Sequence, residues 1–479
     1  MRFRSLPVCA LALLPFSPAG AAVGDWRQLG DGSGAKIDVR FEGKADGIYL
    51  LRRRADGRLF EVKPDFLLPA DQKYFDEAAG LLEQEITKLN GTAGHKLFSG
   101  APFEARAANG IASALSLREE SSTNDSKSWR LYAGDSYRLF DARPYSVALY
   151  ADGEGHATSL SIVYANKGDF GSKAGTGQDH FEGGTEATAN TLEAAMKRDE
   201  AAIEKSISEA LGAPVIQRFG EGKTRRQIKR WDWNGQSLLL SSEEGEYVSL
   251  QMVPLDFAAA GGKTIATKGE IVRRHRKESV VRESNGDVYA TQIPMVDQGP
   301  KGYCVPATFE RAMRTMGIDA DMYLLAMIGG TGVGGGTSVE KLLENVRRAV
   351  YSKGRRTKDE PVKELRIRDV KRYIDEGVPV MWTMHAVDEY AKAANDNTSN
   401  RKLVSDWSAY ITQISTKAAE IAKLPKPDKN GHICMIIGYN EKTDELAVSD
   451  SWGPSFERRW VPTKIANWAS SGGLFMILP

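Results

Sequence analysis

Four side chains in the last third of the chain have the types and spacing for thiol chemistry: Gln298, Cys304, His432 and Asp450. Cys304 stands at the mouth of an amphipathic helical pattern. Pro306 fits only a first helical turn, and Phe309, Met313 and Met316 then recur on one face. Unpaired N–H groups and the macrodipole at such a terminus favour thiolate over thiol. Gln298 lies six residues earlier across a Gly/Pro turn that can swing its side-chain N–H back beside the sulfur, as an oxyanion donor. His432 opens one apolar strand and Asp450 closes the next, so a two-strand hairpin sets imidazole beside carboxylate and fixes the tautomer a general base needs. Each residue also has a plainer reading. Free cysteines are usually small buried hydrophobes, a lone histidine at a strand start is usually structural, and an Asp before Ser-Trp-Gly is ordinarily a turn residue. The ordered set is what points to nucleophilic catalysis. His385, ending a buried strand from Gly377, is a rival base without a carboxylate partner on a neighbouring strand.

Gln298-Gly-x-x-Gly302-x-Cys304, Gly431-His432 and Asp450-Ser-Trp-Gly453 resemble the motifs of papain-like cysteine peptidases. They are closer to the bacterial branch near the bacteriocin-processing peptidases, where Asp commonly takes the third position. The resemblance covers about residues 286–479, and the Cys304–His432 interval of 128 falls just short of the about 130–150 of the papain type. It implies Cys304 as nucleophile, His432 as general base and then acid, Asp450 as orienting group, and Gln298 with the Cys304 backbone N–H as oxyanion hole. A peptide or protein substrate follows. In this family a glycine stretch lines the cleft, which makes Gly335, Gly336 and Thr337 candidates for substrate binding; Trp452 joins them, placed to keep water off the His432–Asp450 bond. Val305 departs from the family by replacing an aromatic residue, and the charge on Asp450 should hold His432 as imidazolium more firmly than an amide would. No metal or organic cofactor is implied, because the histidines and cysteines show no metal-ligand spacing. Gly330-x-Gly332-x-x-Gly335 satisfies a dinucleotide fingerprint literally, but the pattern is weak, and an exported protein meets little NAD.

The chain positioning these groups reads as multidomain α+β. Residues 1–22 have the basic, apolar, small-residue order of a signal peptide, cut after Ala21 or Ala22, so the expected location is secreted or periplasmic. Cleavage removes Cys9 and leaves Cys304 and Cys434, either paired or as one working and one buried thiol. Residues 23–80 alternate as a small β domain. Phe41-x-Gly43, Asp46-Gly47-x-x-Leu50, Asp56-Gly57-Arg58 and Asp71-Gln-Lys-Tyr74 resemble the Sla-homology (SHD) domain, which implies an SH3-like β-barrel and a peptide-motif partner. Residues 96–258 read as an α+β domain of unknown role, with a hairpin through Asp152-Gly153. Residues 259–285 form a polar, basic linker, and residues 286–479 the papain-like domain, in which Met322 to Ile328 reads as a strand. A formal charge of +1 gives no argument for nucleic acid as partner, and no stretch is apolar for the ~18 residues a membrane span needs.

The reading is therefore an exported cysteine peptidase. Its alternatives are a cysteine acyltransferase working through the same thioester and a non-catalytic exported peptide-binding protein. Arg273-Arg274-His275-Arg276-Lys277 also offers a cut point for zymogen-style processing. Mass spectrometry of the exported protein tests that point, since a full mature chain alone discards it.

Overall fold

The computed structural model describes residues 25–30, 36–170 and 189–479. The expected signal segment and the Gly/Asp/Thr-rich stretch 171–184 lie outside them. The chain divides into two compact units, residues up to 89 with 98–102, and 90–97 with 103–479. No helix among the described residues is long and apolar enough to cross a membrane.

In the first unit, β1 (Trp26–Gly30), β2 (Lys36–Ala45), β3 (Ile48–Arg53) and β4 (Leu59–Val62) form an antiparallel sheet in chain order. Asp46 and Gly47 join β2 to β3 with φ of 49° and 78°, the left-handed pair a two-residue hairpin loop demands. The apolar spacing of residues 67–74 predicts that they close this β-rich unit, but they lead into the helix α1 (Pro69–Ala93). Its Phe75 stacks on Phe41 at 5.8 Å and tilts over Tyr49 at 5.4 Å, all three buried. Among the described residues β4 does not pair back to β1, so the expected SH3-like barrel is an open sheet whose apolar face the helix covers.

The second unit begins with α2 (Ala108–Ala114), β5 (Arg118–Ser122), β6 (Ser126–Tyr132), β7 (Ser146–Asp152), β8 (Ala157–Asn166) and α3 (Ala189–Leu211). It continues with β9 (Val215–Phe219), β10 (Arg226–Trp233), β11 (Gln236–Glu243) and β12 (Tyr247–Pro254). These strands make one eight-stranded antiparallel sheet, two meanders joined where β8 pairs β12. The spacing of Leu192, Met196, Ile203, Ile207 and Leu211 predicts one helical face; the first four are buried on α3, and Leu211, its last residue, is half-buried.

After α4 (Leu255–Ala259) come α5 (Gly269–Glu278), β13 (Val280–Arg282), β14 (Asp287–Ala290), α6 (Cys304–Thr315), α7 (Met322–Gly329), α8 (Val339–Ser352) and β15 (Arg356–Asp359). Then follow α9 (Ile367–Ile374), β16 (Val380–His385), α10 (Asp388–Arg401), α11 (Trp407–Ile421), β17 (Gly431–Asn440), β18 (Glu445–Ser449), β19 (Arg459–Pro462), α12 (Thr463–Ala469) and β20 (Ser470–Leu478). Their sheet runs β13-β14-β17-β16-β20-β15, and β18 bridges β17 to β19.

Two stretches differ from the sequence reading. Met322 to Ile328 is helical, because the Asp321 carboxylate accepts from the N–H groups of Tyr323 and Leu324 at 2.9 and 3.2 Å and Gly330 ends the helix at φ 66°. The basic run of the connector lies on α5, where Val272 and Arg276, four apart, turn inward. Arg276 donates to the carbonyls of Gly377, Gln292 and Thr291 at 2.9, 2.7 and 2.8 Å.

β17 is buried from His432 to Asn440. At Gly438 an added Cβ would sit 2.6 Å from that of Tyr289, so only glycine lets β14 and β18 close on it. Behind the hairpin, Arg401 donates to the carboxylates of Glu445 and Asp287, and Tyr410 donates to Glu445 at 2.9 Å. Removing one partner strands buried charge. Arg401→Met should therefore lower unfolding free energy by roughly 3–5 kcal/mol, read from urea denaturation against wild type.

Candidate active site

Cys304 is the first residue of α6, half-buried, with Tyr303 as the flanking cap residue. Thr308, one turn on, donates to the Ile433 carbonyl at 3.2 Å and fastens the start of α6 to β17. The sulfur therefore meets His432 at the head of that strand. Burial alone would push the thiol up. The hydrogen bond and charge of His432, with the N–H groups of Ile433 and Val305, outweigh it and hold Cys304 below its ordinary value.

His432 Nε2 lies 2.9 Å from Asp450 Oδ1, which leaves Nδ1 for the thiol. Both side chains are buried. Burial opposes the imidazolium, but the bonds and charges of Asp450 and Cys304 raise His432 to about 9. Burial likewise opposes the Asp450 carboxylate, and His432 and Arg459 hold it below the usual range. Arg459 Nη2 is 2.5 Å from Asp450 Oδ2, so each carboxylate oxygen has its own cation. Arg459 Nη1 is itself anchored on Asn395 at 2.9 Å.

Sequence reasoning missed Arg459. Its signal is register. Arg459 pairs with Val448, two residues before Asp450, and so shares that face of the hairpin, but this is visible only once the β18–β19 turn is known. Arg311 was also missed. It lies seven residues after Cys304, fully buried, and donates to the Pro294 carbonyl at 2.9 Å and to Ser449 Oγ at 2.5 Å.

Gln298 is held at both ends. Its N–H donates to the Ser451 carbonyl at 2.9 Å, Ser451 Oγ donates to Gln298 Oε1 at 2.8 Å, and Gln298 Nε2 donates to the Lys301 carbonyl at 2.8 Å. An amide nitrogen carries two hydrogens. The Lys301 carbonyl takes one of them, on the arc that ends at Cys304.

The glycine loop docks on that same arc. Gly335 bridges Gly302, and Gly336 N–H donates to the Gly302 carbonyl at 3.0 Å. An added Cβ on Gly335 would lie 2.4 Å from Gly302 Cα, so the close approach requires glycine. The N–H groups of Gly335 and Gly336 are thus taken within the protein, that of Gly335 by the Gly332 carbonyl at 3.1 Å, and the Thr337 hydroxyl lies 2.6 Å from that of Thr331. The loop follows the helix α7, where a dinucleotide fingerprint needs a strand. Trp452 stacks on the His432 ring at 4.6 Å.

His385 Nδ1 lies 2.8 Å from the Lys429 carbonyl, and the residue pairs with Gly431 in the sheet, without an acid partner among the described residues. Cys434 is a free, fully buried thiol, pushed up by burial. Among the described residues, no group of three or more His, Cys, Asp or Glu is placed to hold a metal ion.

Residues 290–474 match the profile of the Peptidase_C39 like family, which supports a cysteine-type peptidase in this part of the chain. Among solved structures, the chain matches xylellain, a cysteine protease from Xylella fastidiosa. The identity is 10% and the TM-score 0.27, over 45% of this chain and 91% of that one. No curated protein matches the chain.

Because His432 holds the thiol below its ordinary value, Cys304 should react with iodoacetamide at pH values where a free thiol, near 8.5, is protonated. His432→Gln should move the alkylation profile to higher pH, because burial is then opposed only by the N–H groups of Ile433 and Val305. Rates measured across pH for both proteins check this.

Proposed function

We propose that the protein is an exported cysteine peptidase acting on peptide or protein substrates through Cys304, His432 and Asp450, with Gln298 as oxyanion donor. The observation that carries this reading is the buried relay at one helix terminus: His432 is bonded to Asp450 at 2.9 Å and stabilises the Cys304 thiolate.

The chemistry runs as follows. The thiolate of Cys304 attacks the scissile carbonyl, and the oxygen takes up charge between the Cys304 backbone N–H and the second hydrogen of Gln298 Nε2. Imidazolium His432 then gives its proton to the leaving amine, and a thioester remains. Neutral His432 next takes a proton from water, which attacks the thioester and releases the acid, while sulfur leaves as thiolate and the imidazolium is restored. Asp450 stabilises the imidazolium in both halves without being protonated, because Arg459 keeps its second oxygen neutralised. Trp452, stacked on the ring, keeps water from the His432–Asp450 bond.

The test is hydrolysis of casein or a general peptide by wild type and Cys304→Ala, with turnover in the variant lower by about 10³-fold or more. Equal turnover discards the assignment. Activity should fall as pH rises through His432's value of about 9, because the imidazolium that protonates the leaving amine is then lost. Asp450→Asn removes the charge that raises that value and leaves Arg459 beside the ring. The basic limb should therefore move to lower pH and kcat/KM fall roughly tenfold to hundredfold, as a pH–rate profile will read.

A further inference from the structure

The arc from Gln298 to Cys304 is gripped from outside the peptidase sheet. Lys301, three residues before the cysteine, sends its ammonium to the middle domain's Asp169, whose two oxygens lie 3.0 and 3.2 Å from Nζ, and the hydroxyl of Tyr323, on α7, lies 2.9 Å from it. The ion pair is buried, its side chains 0% and 2% exposed, and the rings of Tyr132, Tyr303 and Tyr323 stand around the ammonium at 4.6, 5.4 and 5.0 Å. A lysine so placed has no solvent to fall back on, and burial draws its proton affinity down against the pull of Asp169.

Asp169 sits in the turn that leaves β8. Asn166 Nδ2 donates to its carboxylate at 2.8 Å, and the Asp169 N–H returns a bond to Asn166 Oδ1 at 3.0 Å. Two neighbours in the turn also reach the site. A side chain on Gly168 would fall 2.1 Å from the Tyr303 ring, and the Lys167 carbonyl accepts from the N–H of Gly334 in the glycine loop at 3.2 Å. The strands β5 and β6 hold the segment ahead of Gln298. Ser121 Oγ accepts from Met295 N–H at 3.0 Å, Glu120 accepts from Asp297 N–H at 2.7 Å, and Tyr132 donates to the Asp297 carbonyl at 2.5 Å.

We infer that Asp169 and Lys301 are positioning residues of the peptidase, and that the middle domain is a working part of its active site. This rests on the peptidase reading above. Lys301 is held at two points: its ammonium is fixed by Asp169, and its carbonyl fixes Nε2 of Gln298 at 2.8 Å. Anchoring the first orients the second. An oxyanion donor acts only when set in advance at the place where charge develops, and displacement by about 1 Å costs up to 10²-fold. The thiolate has its own supports in His432 and the helix terminus, so loss of the brace affects the carbonyl oxygen and not the sulfur.

Iodoacetamide separates the two. Its alkylation of Cys304 forms a carbon–sulfur bond as carbon–iodine breaks and iodide leaves, with no oxyanion formed. In the full chain, Asp169→Asn and Lys301→Met should lower kcat for peptide hydrolysis at least about tenfold, with KM and the alkylation rate within about twofold of wild type. Amide hydrogen exchange over residues 297–304 should rise in both variants. Should a single variant fail to fold, Asp169→Leu combined with Lys301→Met removes both buried charges and should give the same split. Unchanged kcat, or hydrolysis and alkylation falling together, overturns the inference. If wild type itself cleaves no peptide, the peptidase reading fails and exchange alone decides the brace, which unchanged protection over 297–304 would refute.

Discussion

A carboxylate with no solvent contact is the constraint on which the C-terminal third of the chain depends. Asp450 is fully buried and keeps its charge because His432 and Arg459 each take one oxygen. Burying that charge without both partners would be prohibitive. The hairpin β17–β18 and the return strand β19 must therefore hold one register, and the close packing at Gly438 and the Arg401 network serve that end. The thiol at the start of α6 is the last partner in the line, and its acidity follows from the hydrogen bond and charge of His432, which Asp450 helps to keep protonated.

The turn between Gln298 and Cys304 carries the second constraint. It is tied to Ser451 on one side, to the glycine loop on another and, through the buried Lys301–Asp169 ion pair, to the turn that leaves β8. Sheet and peptidase segment share an apolar cluster as well, in which Val163 packs with Val296, Tyr303 and Tyr323. Polar ties set direction and apolar packing excludes water, and together they fix the Gln298 amide.

Local features of this architecture were legible in the sequence. Pro306 marked the start of α6, and the spacing of His432 and Asp450 on an apolar hairpin anticipated their juxtaposition. The stripe of α3 and the β7–β8 hairpin read equally well. Elements decided by competition did not. A short apolar run at 322–328 fits strand and helix alike, and only the cap at Asp321 settles it. The small N-terminal sheet stays open because a helix covers its face, and no strand alternation reports what will lie on the other side. Least visible were the long-range pairs. Lys301 and Asp169 are 132 residues apart and Arg311 reaches Ser449 across 138, distances over which charge identity alone selects nothing.

The two described cysteines are unequally exposed to oxidants. Cys304 is partly accessible and thiolate-leaning, the state that peroxide attacks first; Cys434 is sealed in the sheet as an inert thiol. A sulfenic acid formed on Cys304 would find no second reactive sulfur among the described residues to resolve it as an internal disulfide. Its recovery would fall to an external reductant.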